Sequence, residues 1–281
     1  MDSQSITDTV VDAFKIEDKR LATLVHGAVR HLHDYVREVQ LTHAEWRACL
    51  TFLTKSAEMT SNGRNEFSLL SDIFGVSSLV DLLHSSADAT PGSVLGPFHV
   101  HDSHTQDNGV DLMNGQAGEA TYFHGQVLSS SGKPIRAEID FWQNADNGLY
   151  PQQDSAQDAH NLRCKLWTDD DGQFAIRTLK PRPYSVPDDG PVGDLLRISA
   201  RHCMRAAHFH VIVSADGYRP LVTEIFPSDD PYLETDAVFG VRPALRVDFV
   251  EKDDPERASM LSIPNPFLDV RFDFRLRPLA G

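Results

Sequence analysis

Two histidines and two tyrosines carry the chemistry this chain advertises. His208 and His210 lie in the run Arg205-Ala-Ala-His-Phe-His-Val-Ile-Val213. Residues i and i+2 of a strand point to the same face, so both imidazoles can reach one metal while Phe209, Val211 and Val213 pack behind them. Upstream stand Tyr150, just after a strand-like stretch, and Tyr184, in the proline-studded segment Pro181-Arg-Pro-Tyr-Ser-Val-Pro187. Two imidazoles and two phenolates make a donor set suited to ferric iron, because anionic oxygens offset the charge of a trivalent cation. Spacing alone is weak, since the 13 histidines include two more such pairs. His31/His33 falls in a helix-like stretch, where i and i+2 diverge by roughly 200°. His99/His101 follows Gly96-Pro97 in a loop-like region with no tyrosine pattern of its own.

The elements that must position these groups change character along the chain. Residues 1–90 read as helical. Between Glu17 and Gln40, Leu21, Leu24, Val25, Ala28, Val29, Leu32, Tyr35, Val36 and Val39 trace one apolar face at helical period. Thr42-His-Ala-Glu45 is a capping-box pattern, with Trp46, Leu50 and Leu53 behind it. Shorter helices are predicted over 66–74 and 77–83, with Gly75 as the stop between them. Residues 91–118 form a connecting segment whose length suggests a functional role.

From about residue 119 to 281 the period becomes two. Ala137, Ile139 and Phe141 alternate with polar neighbours, as do Val270, Phe272, Phe274 and Leu276. Asp169-Asp-Asp-Gly172 reads as the turn of a hairpin between 164–168 and 173–177. The expected fold is mainly β, an antiparallel sandwich preceded by a helical region. Trp142 and Trp167 are expected in its core.

Composition narrows the function classes. The chain has 281 residues, 41% hydrophobic and 24% charged, as expected of a globular protein. A net charge of −15 argues against nucleic acid and anionic membranes as partners. No stretch approaches the roughly 20 apolar residues of a membrane span. The N-terminus lacks the pattern of a secretory signal, so a cytoplasmic location is expected. Cys49, Cys164 and Cys203 have no zinc-like spacing and read as reduced thiols.

The ordered pattern resembles the intradiol ring-cleavage dioxygenases. It rests on Asp140-Phe-Trp-Gln-Asn144 before Tyr150, on Pro183-Tyr-Ser-Val-Pro-Asp-Asp-Gly-Pro-Val-Gly193, and on Arg201-His-Cys-Met-Arg-Ala-Ala-His-Phe-His210. Leu95-Gly-Pro-Phe98 and Asp230-Pro-Tyr-Leu-Glu-Thr-Asp-Ala-Val-Phe-Gly240 add to it. The resemblance implies Fe(3+) held by Tyr150, Tyr184, His208 and His210. It also implies an aromatic diol or triol and O2 as substrates, and a homodimer joined through the N-terminal helices. Tyr184 would be the displaceable ligand and built-in base, and Arg205 the stabiliser of charge on the substrate. Asp81, Phe98, Val186, Pro187 and Glu224 are candidate substrate contacts. The motifs around 95–98 and 185–193 look most like hydroxyquinol 1,2-dioxygenases, with catechol or chlorocatechol cleavage as the alternative.

The chain also departs from that family. Glu224 stands where relatives often carry glutamine, and Cys203, Met204 and Ala206 replace common proline, tryptophan and proline. Plain structural readings remain for Asp81 as a helix-surface carboxylate and Arg205 as a salt-bridge partner. Two other classes stay open: a non-catalytic transthyretin-like sandwich, and a zinc hydrolase using His208, His210 and Glu224.

Overall fold

A computed structural model describes residues 2–61 and 64–279. The chain divides into two compact units, Met1–Glu58 and Met59–Gly281. The first holds helices α1 (Ser5–Ala13) and α2 (Lys19–Glu38) and most of α3 (His43–Met59). The Asp18 carboxylate caps α2 by accepting from the Leu21 amide at 2.6 Å. The capping box of α3 forms in both directions: Thr42 N donates to Glu45 Oε2 at 2.9 Å, and Glu45 N to Thr42 Oγ1 at 3.3 Å. Helix α2 buries none of its residues; Leu21, Leu24, Leu32, Tyr35 and Val36 are exposed along it, and Val39 at its C-cap.

The second unit opens with α4 (Glu66–Ile73) and α5 (Val76–His84). Asn65 caps α4, and Gly75 separates the two helices in the left-handed conformation, φ 69°. No single helix among the described residues is long and apolar enough to cross a membrane; α4 and α5 reach that length only as a pair bent by 68°.

Two six-stranded sheets follow. The first runs 105–106, 163–167, 138–142, 209–214, 221–227, 246–247, and the second 250–252, 267–271, 120–129, 173–179, 110–111, with 274–276 also on 120–129. Both give residues to one core, Phe123, Val127 and Ile176 from the second meeting Ile139, Phe141, Phe209 and Val211 from the first. The sheets are mixed rather than strictly antiparallel. Strands 105–106, 110–111, 246–247, 267–271 and 274–276 all have parallel neighbours, because crossovers rather than hairpins deliver them.

Further local expectations are revised. The Asp169–Gly172 turn forms, with Gly172 at φ 73°, yet its flanking strands belong to different sheets. The turn therefore carries the chain across the core instead of closing a hairpin. The terminal alternating run is two strands, broken at Phe272, whose carbonyl oxygen would sit 1.8 Å from a Cβ at position 125; Gly125 leaves it room. Helices α6 (Pro191–Ile198) and α7 (Pro255–Leu261) interrupt the β region, each begun by a proline at its first position. Trp142 is in the interior, but Trp167 is 44% exposed and lies under the Arg136 guanidinium.

Candidate metal centre and substrate cavity

The central sheet orders the site as a row. Arg163 is the cross-strand neighbour of Trp142, Trp142 of His210, and His210 of Glu224. Opposite residues of adjacent strands share a face, so all four stand on the side away from the Phe209–Val211–Val213 core. His208, just before the strand, joins them by the period of two. Trp142 stacks flat on His210, with centroids 4.6 Å apart at 7°. Gly96 closes over the other side: a Cβ there would lie 3.0 Å from His210 Cε1, and its φ of 70° suits glycine.

A short ribbon supplies the next pair, for Tyr184 and Arg205 are directly opposed in strands 184–185 and 204–205. Tyr150 comes from the loop after strand 138–142, its ring stacked on Phe98 at 4.4 Å and 5.5 Å from that of Tyr184. The Tyr184 ring is 5.6 Å from His208, and the Tyr150 ring 6.3 Å from His210. All four sequence-predicted donors thus gather in one buried cluster.

The electrostatics of that cluster favour a cation. His208 Nδ1–H donates to the Ala206 carbonyl at 2.7 Å, which leaves Nε2 as the lone-pair nitrogen. The two Nε2 atoms are 3.0 Å apart. Two nitrogens each about 2.1 Å from one ion and at right angles would be separated by about 3.0 Å. The Tyr150 hydroxyl is buried without a hydrogen bond of normal geometry. An orphaned buried hydroxyl is costly, whereas a metal-bound phenolate is not. Burial pushes the Tyr150 pKa well above its usual value, with Tyr184 adding to the effect, and burial raises Tyr184 too. Without a cation both phenols stay protonated. The residues present therefore fit a trivalent ion.

Burial, aided by Arg205, lowers the His208 pKa to about 3, and burial with His208 nearby puts His210 well below its usual value. Both are neutral, ligand-ready imidazoles at pH 7. For the metal-free protein the sign follows: the unfolded chain binds protons near pH 6.5 that the folded one refuses. Stability is expected to fall as pH drops below about 6.5, with the His208 part of the fall ending near its value of about 3. Denaturant midpoints measured across that range check it; a flat profile contradicts the neutral buried pair.

Arg205 is enclosed. Nη1 donates to Glu224 Oε1 at 2.7 Å and to His208 Nε2 at 3.2 Å, Nη2 to Glu224 Oε2 at 3.0 Å, and Nε to Asp236 Oδ1 at 3.3 Å. Ser93 Oγ donates to Glu224 Oε2 at 2.5 Å. Asp236 also receives the Ala206 and Gly240 amides. Ser93 and Asp236 went unassigned from sequence; Asp236 lies within the Asp230–Gly240 motif, while Ser93 carried no signal. A cavity of about 910 Å³ opens on Tyr184 and Arg205, walled by Asp81, Phe98, Val186 and Pro187. Glu224 is not on that wall. It stands behind Arg205, fully buried, as an ion-pair partner rather than a substrate contact. Cys203 is also off the wall, its thiol facing Asp188, and burial raises its pKa.

Two family models together match nearly the whole chain. Residues 94–278 match the family model described as Dioxygenase, and residues 18–92 the one described as Catechol dioxygenase N terminus. The chain belongs to the intradiol ring-cleavage dioxygenases. Within that family it is 42% identical to the hydroxyquinol 1,2-dioxygenase of Rhizobium sp. (strain MTP-10005), covering 92% of this chain and 90% of that one. It is 38% identical to the 6-chlorohydroxyquinol 1,2-dioxygenase of Cupriavidus pinatubonensis, over 90% and 93%. Among solved structures, hydroxyquinol 1,2-dioxygenase from Pseudomonas putida DLL-E4 superposes with a TM-score of 0.90 at 40% identity, covering 99% of each chain. The catechol 1,2-dioxygenase of Acinetobacter radioresistens gives 0.87 at 25%, over 100% and 94%. Intradiol dioxygenases imply a non-haem iron, and His208 and His210 belong to a cluster able to hold a metal ion.

Proposed function

We propose that the protein holds Fe(3+) through Tyr150, Tyr184, His208 and His210 and cleaves hydroxyquinol between vicinal hydroxyls with O2. The product would be 3-hydroxy-cis,cis-muconate, the enol form of maleylacetate. The 3.0 Å approach of the two imidazole Nε2 atoms carries this reading. Ferric iron held by these four residues would supply a Lewis-acidic centre for the two diol oxygens and activate the ring toward O2. Tyr184, the cavity-facing phenol, takes a substrate proton. Arg205 presents its remaining N–H to charge that develops on the ring oxygens. Phe98, Val186 and Pro187 enclose the ring and exclude water.

The zinc-hydrolase alternative would use Glu224 with the histidines, whose ligand atoms lie within 4.8 Å of one another. Both Glu224 oxygens are already taken by Arg205 and Ser93. That engagement favours the tyrosines as the anionic donors.

Asp81 on the cavity wall supports hydroxyquinol over catechol, since it can accept from the third hydroxyl. Burial raises its pKa. Asp81→Leu is expected to lower kcat/KM for hydroxyquinol about tenfold and leave catechol within a few-fold. The decisive experiment measures iron content, the visible tyrosinate-to-iron absorption, and oxygen uptake with hydroxyquinol and with catechol. Absence of iron-dependent uptake with either diol refutes the proposal; faster catechol turnover would change only the preferred substrate.

The exposed apolar face of α2, with Trp46, Leu50 and Leu53 of α3, supports a homodimer joined through the 1–90 helical region, with 91–118 supplying pocket residues and 119–281 the catalytic domain. Three free cysteines are consistent with a cytoplasmic setting.

A further inference from the structure

Arg163 stands at the far end of the Arg163–Trp142–His210–Glu224 row, only 2% exposed. A guanidinium so buried is costly unless an anion offsets it. Among the described residues none of its ion pairs with a carboxylate falls within salt-bridge distance; its bonds go to neutral acceptors. Nη1 donates to the Phe98 carbonyl at 3.2 Å and Nη2 to Gln152 Oε1 at 3.2 Å. Gln152 Nε2 closes the triangle on the Phe98 carbonyl at 3.0 Å, while Arg163 Nε has no partner. Both ends of the triangle lead to Tyr150. Gln152 is two residues beyond it, and Phe98 stacks on its ring.

We propose that Arg163 is a positioning residue for Tyr150: its buried fork ties the Gln152 segment to the Phe98 backbone, and so fixes the loop and the stacked ring that hold the Tyr150 phenol. The charged groups that offset its burial are Asp140 and Asp102, joined by Tyr150 when that phenol is ionised. Burial lowers the Arg163 pKa, and an anionic Tyr150 opposes that effect most.

The inference rests on Tyr150 as an iron ligand, and the test separates the two. Wild-type protein, Arg163→Met and Arg163→Lys are loaded with Fe(III), and the visible band and iron retention against a chelator are recorded. A colourless wild type refutes the ligand set itself. Given a coloured wild type, Arg163→Met is expected to move the band to longer wavelength, because losing a nearby positive charge raises the energy of the phenolate donor electrons. It should also release iron about tenfold more readily, as expected for removal of a group that orients a ligand. Arg163→Lys keeps the charge but not the fork, so its band should stay near wild type while iron retention falls. A wild-type band and wild-type retention in Arg163→Met overturn the proposal. If Arg163→Met does not fold, wild-type retention in Arg163→Lys overturns it instead.

Discussion

Tyr184→Phe is expected to leave a folded protein whose kcat falls by about 10²- to 10⁴-fold, the range for removing a positioned acid–base group. Tyr150→Phe should also lose activity, but for another reason. Tyr184 lines the cavity and faces Arg205 across the ribbon, so its oxygen is within reach of a bound diol. Tyr150 is fully buried, off the cavity wall, and its hydroxyl has no hydrogen bond of normal geometry. The metal-free Tyr150→Phe protein should therefore be as stable as wild type or slightly more so, since deletion relieves an unsatisfied polar group. Its iron should be lost to a chelator more readily and its visible band weakened. Thermal melts of the apo variants, with spectra of the loaded ones, distinguish the two roles. A stability loss in apo Tyr150→Phe larger than in apo Tyr184→Phe would contradict the assignment.

The site was legible where local periodicity sufficed. A period of two placed His208 and His210 on one face, and the same alternation put Phe209, Val211 and Val213 into the core. The Thr42–Glu45 box needs only neighbouring residues, and it formed as read. What stayed hidden depends on distant contacts. Ser93 meets Glu224 across 131 positions, and Asp236 meets Arg205 across 31, so no local pattern could announce either. The Asp169–Gly172 turn looks like a hairpin because turn chemistry is local. Which sheet receives the next strand is decided by Phe174 and Ile176 joining Phe123 in the shared core. Helix α6 hid inside a Gly-Pro sequence that also spells a turn, although Pro191 at the first helical position is a recognised start. The antiparallel expectation failed for the same reason: short edge strands carry no sign of the direction of their partner.

Glu224 offers the largest expected effect on stability. Its carboxylate is fully buried, paired bidentately with Arg205, and held by Ser93. Removing one partner of such a pair strands the other, and Glu224→Ala is expected to cost about 3–5 kcal/mol. Glu224→Gln keeps the shape and one acceptor while Asp236 still faces Arg205, so its cost should be smaller. The pH dependence separates charge from packing. Burial alone would raise the Glu224 pKa, but Arg205, His210 and the Ser93 hydrogen bond together outweigh it, and the net shift is downward from 4.5. A depressed carboxylate contributes stability above its unfolded pKa, and that contribution disappears as pH falls through the lower folded value. The wild-type advantage over Glu224→Gln should thus be full above about pH 4.5 and shrink below it. Protonation of His208 and His210 destabilises both proteins in the same window and largely cancels in the difference. Denaturant midpoints of the two metal-free proteins, compared at neutral and acidic pH, measure it. A gap that stays constant would mean that Glu224 acts through shape alone, with Asp236 sufficient to compensate the Arg205 charge.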